Sequence, residues 1–137
     1  MKAYTDTEQS KKLAEILPIE SADMWWAERY EGHTTMDYQY VVEETPYYYL
    51  SLKKPSIDNY SQDAINDIPC WSLTALLDVL QKAAYSIDED ANVMLDSYKT
   101  VEWHLGINNS DLELITESNP IDACVEMILK LHEENLI

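Results

Sequence analysis

The last 19 residues, Asn119 to Ile137, contain the clearest helix signal in the sequence. Asn119 is a suitable N-cap, and Pro120 suits the first helical position, where no backbone donor is needed. Asn135 is predicted to end the helix in a left-handed conformation. One apolar stripe recurs at three- and four-residue spacing: Ile121, Cys124, Val125, Ile128 and Leu131. Such a helix is not stable alone in water, so the rest of the chain must cover this stripe.

A second helix is predicted from Pro69 to Tyr85 and should pack against the first. Ser72 is its predicted cap. Its apolar positions also recur at helical spacing: Leu73, Leu76, Leu77, Leu80 and Ala84. A shorter helix is predicted from Thr5 to Leu17, because Thr5 and Glu8 have the spacing of a capping box.

The segments between these helices carry strand and turn patterns. Residues 37–54 are predicted to form a β-hairpin with Glu43 to Pro46 as its connection, because aromatic and β-branched residues alternate there. Residues 31–34 are predicted to be a turn, and two or three strands are predicted between residues 93 and 115. The pattern indicates a single domain over residues 1–137, of α+β class. About three helices would pack on an antiparallel sheet built from hairpins.

Charge is the strongest global property of the sequence. The 26 acidic and nine basic residues give a formal net charge of −17. This charge argues against direct binding to nucleic-acid phosphates and to anionic membranes. No apolar run approaches the roughly 20 residues that span a bilayer, and the first residues lack the apolar run of a signal peptide. The sequence therefore predicts a soluble cytoplasmic protein, whose charge either keeps it soluble or attracts a basic partner.

No stretch carries a catalytic, cofactor or metal signature. Cys70 and Cys124 lie beside apolar neighbours, so both are predicted to be buried free thiols. A nucleophile at Cys70 would need a histidine beside it in the fold. The acidic run from Asp88 begins with the spacing of a calcium loop but lacks the required glycine and final glutamate. The sequence predicts no cofactor and favours a non-enzymatic protein.

Aromatic residues are concentrated between residues 25 and 49. Three consecutive tyrosines in a strand must project to both faces, so at least one should point away from the core. Tyrosine and tryptophan are enriched at protein interfaces. The competing interpretation is that these rings fill a core that has no phenylalanine. The predicted interface residues are Trp25, Trp26, Tyr38, Tyr40, Tyr47, Tyr48 and Tyr49.

Three stretches together resemble a family of small, acidic, uncharacterised proteins of gut Bacteroidetes, often encoded near prophage or other mobile elements. They are residues 7–18 together with residues 21–24, residues 69–77 and residues 119–129, which span most of the chain. The resemblance implies a bacterial or phage-infected cytoplasm. It implies no catalytic residue.

The favoured hypothesis is a phage- or mobile-element-associated accessory protein that is not an enzyme. It would bind an unknown protein, or a second copy of itself, through the aromatic region. The alternative is an acidic decoy that binds a DNA-binding host or phage protein by mimicking phosphate charge. A third is a small enzyme whose site is assembled only in the fold. An exposed aromatic patch would favour the first, and a pocket that gathers Cys70 or a histidine with carboxylates would favour the third.

Overall fold

The computed structural model describes residues 2–52, 66–99 and 101–137. Within these residues the chain forms three α-helices and eight strands in three antiparallel sheets, so the fold is α+β as predicted. The helices are α1 (Thr7–Ala14), α2 (Leu73–Ile87) and α3 (Pro120–Glu133), and a 3-10 turn covers Ile19–Ser21. The strands are β1 (Met24–Arg29), β2 (Gly32–Thr34), β3 (Tyr40–Val42), β4 (Tyr47–Ser51), β5 (Ile68–Cys70), β6 (Val93–Tyr98), β7 (Glu102–Ile107) and β8 (Ile115–Glu117).

The three sheets have the strand orders β4-β1-β5, β2-β3 and β6-β7-β8. Helix α3 packs against β7 and β8, helix α2 packs against α3 and β6, and α1 contacts β5 and α3. The core therefore lies between the two long helices and the third sheet. The β2-β3 pair lies apart from this core, since its principal contacts are between its own two strands.

The two predicted apolar stripes are buried in one cluster. Its members from the helices include Leu76, Leu80, Ile121, Val125, Ile128 and Leu131. Leu73 and Leu77 are only partly buried and pack against the edge of this cluster. Trp71, which precedes α2, is fully buried in the same cluster.

The predicted helix ends are confirmed in part. Asn119 accepts a hydrogen bond from the backbone nitrogen of Asp122 at 2.9 Å, and Asn135 has a φ of 57°. Ser72 caps α2 as predicted, but the helix begins at Leu73 and not at Pro69. Residues 68–70 instead form β5, because pairing with β1 outweighs the helical pattern there.

The capping box of α1 lies one residue later than predicted. Asp6 accepts a hydrogen bond from the backbone nitrogen of Gln9 at 2.8 Å, and the Gln9 side chain accepts one from the Asp6 nitrogen at 3.1 Å. Thr5, the predicted cap, is buried instead. Its hydroxyl accepts a hydrogen bond from the backbone nitrogen of Trp71 at 3.1 Å. The first helix is thereby joined to the segment that leads into α2.

Glu117 at the end of β8 and Glu126 on α3 form a pair of carboxylates whose repulsion we expect to make stability depend on pH. A hydrogen bond with Glu126 raises the pKa of Glu117, and partial burial and the charges of Glu126 and Asp122 act in the same direction. The folded state therefore holds the Glu117 proton more tightly than the unfolded state, and that stabilisation is lost as pH rises through the folded pKa.

Glu117→Gln removes one charge and should raise the Tm at pH 7. The gain should disappear below the ordinary glutamate pKa of about 4.3. Thermal melts of both proteins from pH 3 to pH 8 check this, and an equal Tm at pH 7 would contradict it.

Candidate protein-binding surface

The predicted hairpin between residues 37 and 54 is wrong in its pairing, although β3 and β4 are both strands. They do not pair with each other: β4 pairs with β1 and β3 pairs with β2. Together the four strands form one longer hairpin, in which β1 and β2 run outward and β3 and β4 return. Residues 32–34, predicted as part of a turn, are strand β2.

An interruption divides this hairpin into an inner and an outer part. Two residues, 30 and 31, separate β1 from β2, whereas four residues, 43–46, separate β3 from β4. The surplus residues include Pro46, which has no backbone donor for a ladder. One hydrogen bond spans the interruption, from the backbone nitrogen of Glu43 to the carbonyl of Glu31 at 2.7 Å. The outer part consists of β2, β3 and the turn between them. We call this part, together with the flanking residues 31 and 43–45, the arm (residues 31–45).

The arm ends in a tight turn with an unusual residue at its last position. The backbone nitrogen of Thr35 donates to the carbonyl of Gln39 at 2.8 Å, and that of Tyr38 donates to the carbonyl of Thr35 at 3.0 Å. Tyr38 has a φ of 61°. This is the arrangement of a three-residue hairpin loop, in which a glycine is usual at the left-handed position. A bulky aromatic residue occupies that position here.

The arm exposes a run of apolar side chains. All of its residues except Thr35 are exposed. Met36 is 98 % exposed, Tyr38 is 91 % exposed and Tyr40 is 70 % exposed, and Val41 and Val42 are also exposed. Met36, Val41 and Val42 were not among the predicted interface residues. For Val41 and Val42, the one signal in the sequence was that they are adjacent β-branched residues in a strand.

The charge of the arm is entirely negative. It contains Glu31, Asp37, Glu43 and Glu44 and no lysine or arginine. Nδ1 of His33 lies 3.8 Å from a carboxylate oxygen of Glu43. An apolar surface bordered by carboxylates complements a partner that is both apolar and basic.

Two more tyrosines are exposed at the base of the arm. The rings of Tyr47 and Tyr49 are both exposed on one face of β4, with centroids 6.3 Å apart and planes inclined at 31°. The Arg29 guanidinium lies 5.7 Å from the centroid of the Tyr49 ring. It is also held by Asp67, whose Oδ1 accepts from Nη1 at 2.7 Å. We call Tyr38, Tyr40, Tyr47 and Tyr49 the aromatic surface.

The other three predicted interface residues lie within the fold. Trp25 is 8 % exposed. Trp26 is half-buried, with its indole nitrogen donating to the carbonyl of Thr5 at 3.0 Å. Tyr48 is half-buried and its hydroxyl donates to Glu28 at 3.1 Å. Desolvation, together with this hydrogen bond to Glu28, raises the pKa of Tyr48. Their rings support the base of the hairpin.

The cysteines are not placed as nucleophiles. Cys70 is fully buried on β5, and its hydrogen bonds go to Thr5. Burial raises the pKa of Cys70, and it raises the pKa of Cys124 to about 12. A thiol held in its neutral form by burial is a poor nucleophile at neutral pH.

A histidine–carboxylate pair and a groove lie elsewhere in the described residues. Nε2 of His104 lies 3.0 Å from Glu102, on β7. Among residues 2–52, 66–99 and 101–137, no three His, Cys, Asp or Glu side chains are grouped to hold a metal ion. A groove of about 440 Å³ beside α2 is lined by residues such as Pro18, Val79 and Leu136, and its lining has no cysteine or histidine. No helix in the described part of the chain is long and apolar enough to cross a membrane.

Comparison of the chain with protein-family models, curated proteins and solved structures found no match. The geometry of the arm is therefore the basis for the function proposed below.

Proposed function

We propose that this chain is a non-enzymatic accessory protein that binds a basic partner protein through the arm and the aromatic surface. One observation is the main support for this proposal. Five apolar side chains are exposed on an element that contributes little to the core: Met36, Tyr38, Tyr40 and the valine pair, Val41 and Val42. Large apolar side chains that are exposed on one element and bordered by carboxylates often mark an interaction site. Tyrosine suits such a site, because it offers a large contact area at a low cost in side-chain entropy.

The conformation of Tyr38 supports the proposal independently. A left-handed backbone costs a residue with a side chain about 1–2 kcal/mol, which glycine would avoid. Tyr38 has that conformation and is 91 % exposed, so packing within the chain does not compensate the cost. Unfavourable conformations of this type concentrate at functional sites. A role in binding accounts for a tyrosine at a position where the turn alone would favour glycine.

Charge indicates the kind of partner. Two copies of this chain would each bring a net charge of −17, and the arm itself is acidic, so self-association through the arm is opposed. A basic protein is attracted instead. Tyrosine rings in this chain already attract cations: Lys11 lies 5.7 Å from the centroid of Tyr48, and Lys99 lies 5.3 Å from that of Tyr98. The exposed rings offer the same interaction to the lysines and arginines of a partner.

The proposed setting is the cytoplasm of a bacterium, including one that carries a prophage or another mobile element. This setting rests on the family resemblance. A lysate of a gut Bacteroidetes species is therefore the source in which a partner should be sought.

We expect Tyr38→Gly combined with Tyr40→Thr to abolish partner binding without lowering the Tm. Glycine relieves the left-handed residue, and threonine keeps a strand-forming residue in β3. Loss of two central aromatic side chains typically weakens an interface by more than about 2 kcal/mol. The measurement is affinity capture from the lysate, followed by titration of the purified captured protein. Tyr85→Ala is the matched control, because Tyr85 is 56 % exposed on α2, away from the arm.

The proposal fails if the double variant and the Tyr85 control bind the captured protein with equal affinity. It also fails if the double variant loses binding only because the chain has unfolded, which the Tm reports.

The acidic decoy remains the alternative function, favoured by the net charge of −17. A decoy would occupy the nucleic-acid site of its partner through carboxylates spread over its surface. DNA would then compete with the chain for the partner, and the double tyrosine variant would bind as well as the natural sequence. Binding through the arm requires instead that the double tyrosine variant binds the partner less tightly than the natural sequence.

A further inference from the structure

We infer that the outer edge of β3 receives an extended, lysine- or arginine-containing segment of the partner as an additional β-strand. This inference rests on the proposed function and specifies how the arm binds. It concerns backbone hydrogen bonds, whereas the proposed function concerns the aromatic side chains, so the two can be tested separately.

The hydrogen-bond pattern of the arm sets the direction of its backbone groups. In an antiparallel pair, hydrogen-bonded residue pairs alternate with pairs that are not hydrogen-bonded. Glu31 and Glu43 form a bonded pair, as do Thr35 and Gln39 four residues further along. Between them, His33 opposite Val41 is then the bonded pair. The intervening positions carry their backbone groups on the outer edges.

On β3 the outward-directed residues are Tyr40 and Val42. Their backbone N–H and C=O groups point away from β2, and within the described residues β3 pairs only with β2. Both residues are exposed. A strand edge with unpaired donors and acceptors is a template for another strand.

The Tyr40 side chain leaves this edge open. A Cβ added at Gly32 would collide with the Tyr40 phenol ring, so the ring leans across the sheet face towards β2. It covers the glycine on the neighbouring strand and does not extend over the outer edge of β3. The edge of β3 is therefore accessible, and it lies next to the exposed valines.

The residues that follow β3 indicate the chemistry of the added strand. Glu43 and Glu44 come directly after Val42, and both are exposed. A strand lying along β3 would bring its own side chains beside these carboxylates, where lysine or arginine is favoured and glutamate is disfavoured. A second copy of this chain would bring further carboxylates.

The test uses a fluorescently labelled six-residue peptide that alternates lysine and valine, titrated with the full chain and followed by anisotropy. A peptide with glutamate in place of lysine is the charge control. Two further peptides carry N-methyl groups on either the odd or the even backbone nitrogens. An added strand directs only one of these sets at β3, so one isomer should lose at least about tenfold in affinity while the other keeps it.

The matched protein variants are Val42→Pro and Thr34→Pro. Both residues belong to non-bonded pairs, so each proline removes an outward N–H and leaves the bonds between β2 and β3 intact. Val42→Pro blocks the edge of β3 and should weaken peptide binding by about tenfold or more. Thr34→Pro blocks the edge of β2 and should leave the affinity within about twofold. An unchanged Tm for both variants shows that the fold is retained.

Each other outcome overturns the inference. Equal binding of the two methylated isomers would mean contact through side chains only. Loss with Thr34→Pro and not with Val42→Pro would assign the strand to β2. Equal binding of the lysine and glutamate peptides would remove the role of charge. A doubled mass in light scattering that Val42→Pro returns to the monomer value would make a second copy the occupant. If Val42→Pro still binds the captured partner and the tyrosine variant does not, strand addition fails while the proposed function stands.

Discussion

Leu80→Ala and Ile128→Ala should each lower the free energy of unfolding by about 2–5 kcal/mol. Both side chains are fully buried, one on α2 and the other on α3, and both belong to the same cluster. Truncation removes the transfer free energy of the lost methyl and methylene groups. It also leaves a cavity, because close-packed neighbours relax only partly around the site.

Denaturant melts measure this loss, and Leu77→Ala is the matched control. Leu77 lies on the same helix as Leu80 but is only partly buried at the edge of the cluster, so its truncation should cost clearly less. The slope of the unfolding free energy against denaturant concentration should stay unchanged. This would show that the variants expose the same surface on unfolding. Losses below about 0.5 kcal/mol for both core variants, as surface changes produce, would contradict the packing of α2 on α3.

Thr5→Val should also destabilise the fold strongly, although valine has nearly the shape of threonine. The Thr5 hydroxyl accepts from the backbone nitrogen of Trp71 at 3.1 Å and lies 2.7 Å from the hydroxyl of Ser10. All three groups belong to a buried part of the molecule. Without the Thr5 oxygen, each buried group left unpaired costs about 1–3 kcal/mol.

Thr5→Ser is the control for this second prediction. Serine keeps the hydroxyl and loses one methyl group, which costs about 0.8 kcal/mol. The valine variant should therefore be the less stable of the two in denaturant melts. If valine is as well tolerated as serine, the Thr5 hydroxyl does not hold the segment before α1 against the start of α2.

Local patterns predicted the helices well and the strand pairings poorly. The cap at Asn119, the cap at Ser72 and the left-handed Asn135 are properties of a few neighbouring residues, and the structure confirms them. Pairing of β4 with β1 joins residues more than 15 positions apart. No local pattern distinguishes it from a short hairpin between β3 and β4. Residues 53 and 54, the end of the predicted hairpin, lie outside the described residues.

The aromatic concentration was visible in the sequence, but the direction of each ring was not. Trp26 is held by the carbonyl of Thr5, 21 residues earlier, and Tyr48 by Glu28, 20 residues earlier. Within the described residues, the side chains of Tyr38 and Tyr40 make no such hydrogen bond, and both stay exposed. Which tyrosines face outward depends on these distant contacts, so composition alone could not separate the two groups.

The interruption between the inner and outer parts of the long hairpin has a consequence for how this protein can change over generations. Exposed sites that share few contacts with a core contribute nearly independently to stability. Substitutions at Met36, Val41 and Val42 thus leave the margin of folding stability almost untouched. If the arm binds a partner as proposed, mutations in the arm can replace one partner by another while selection on α2, α3 and their sheet continues unchanged.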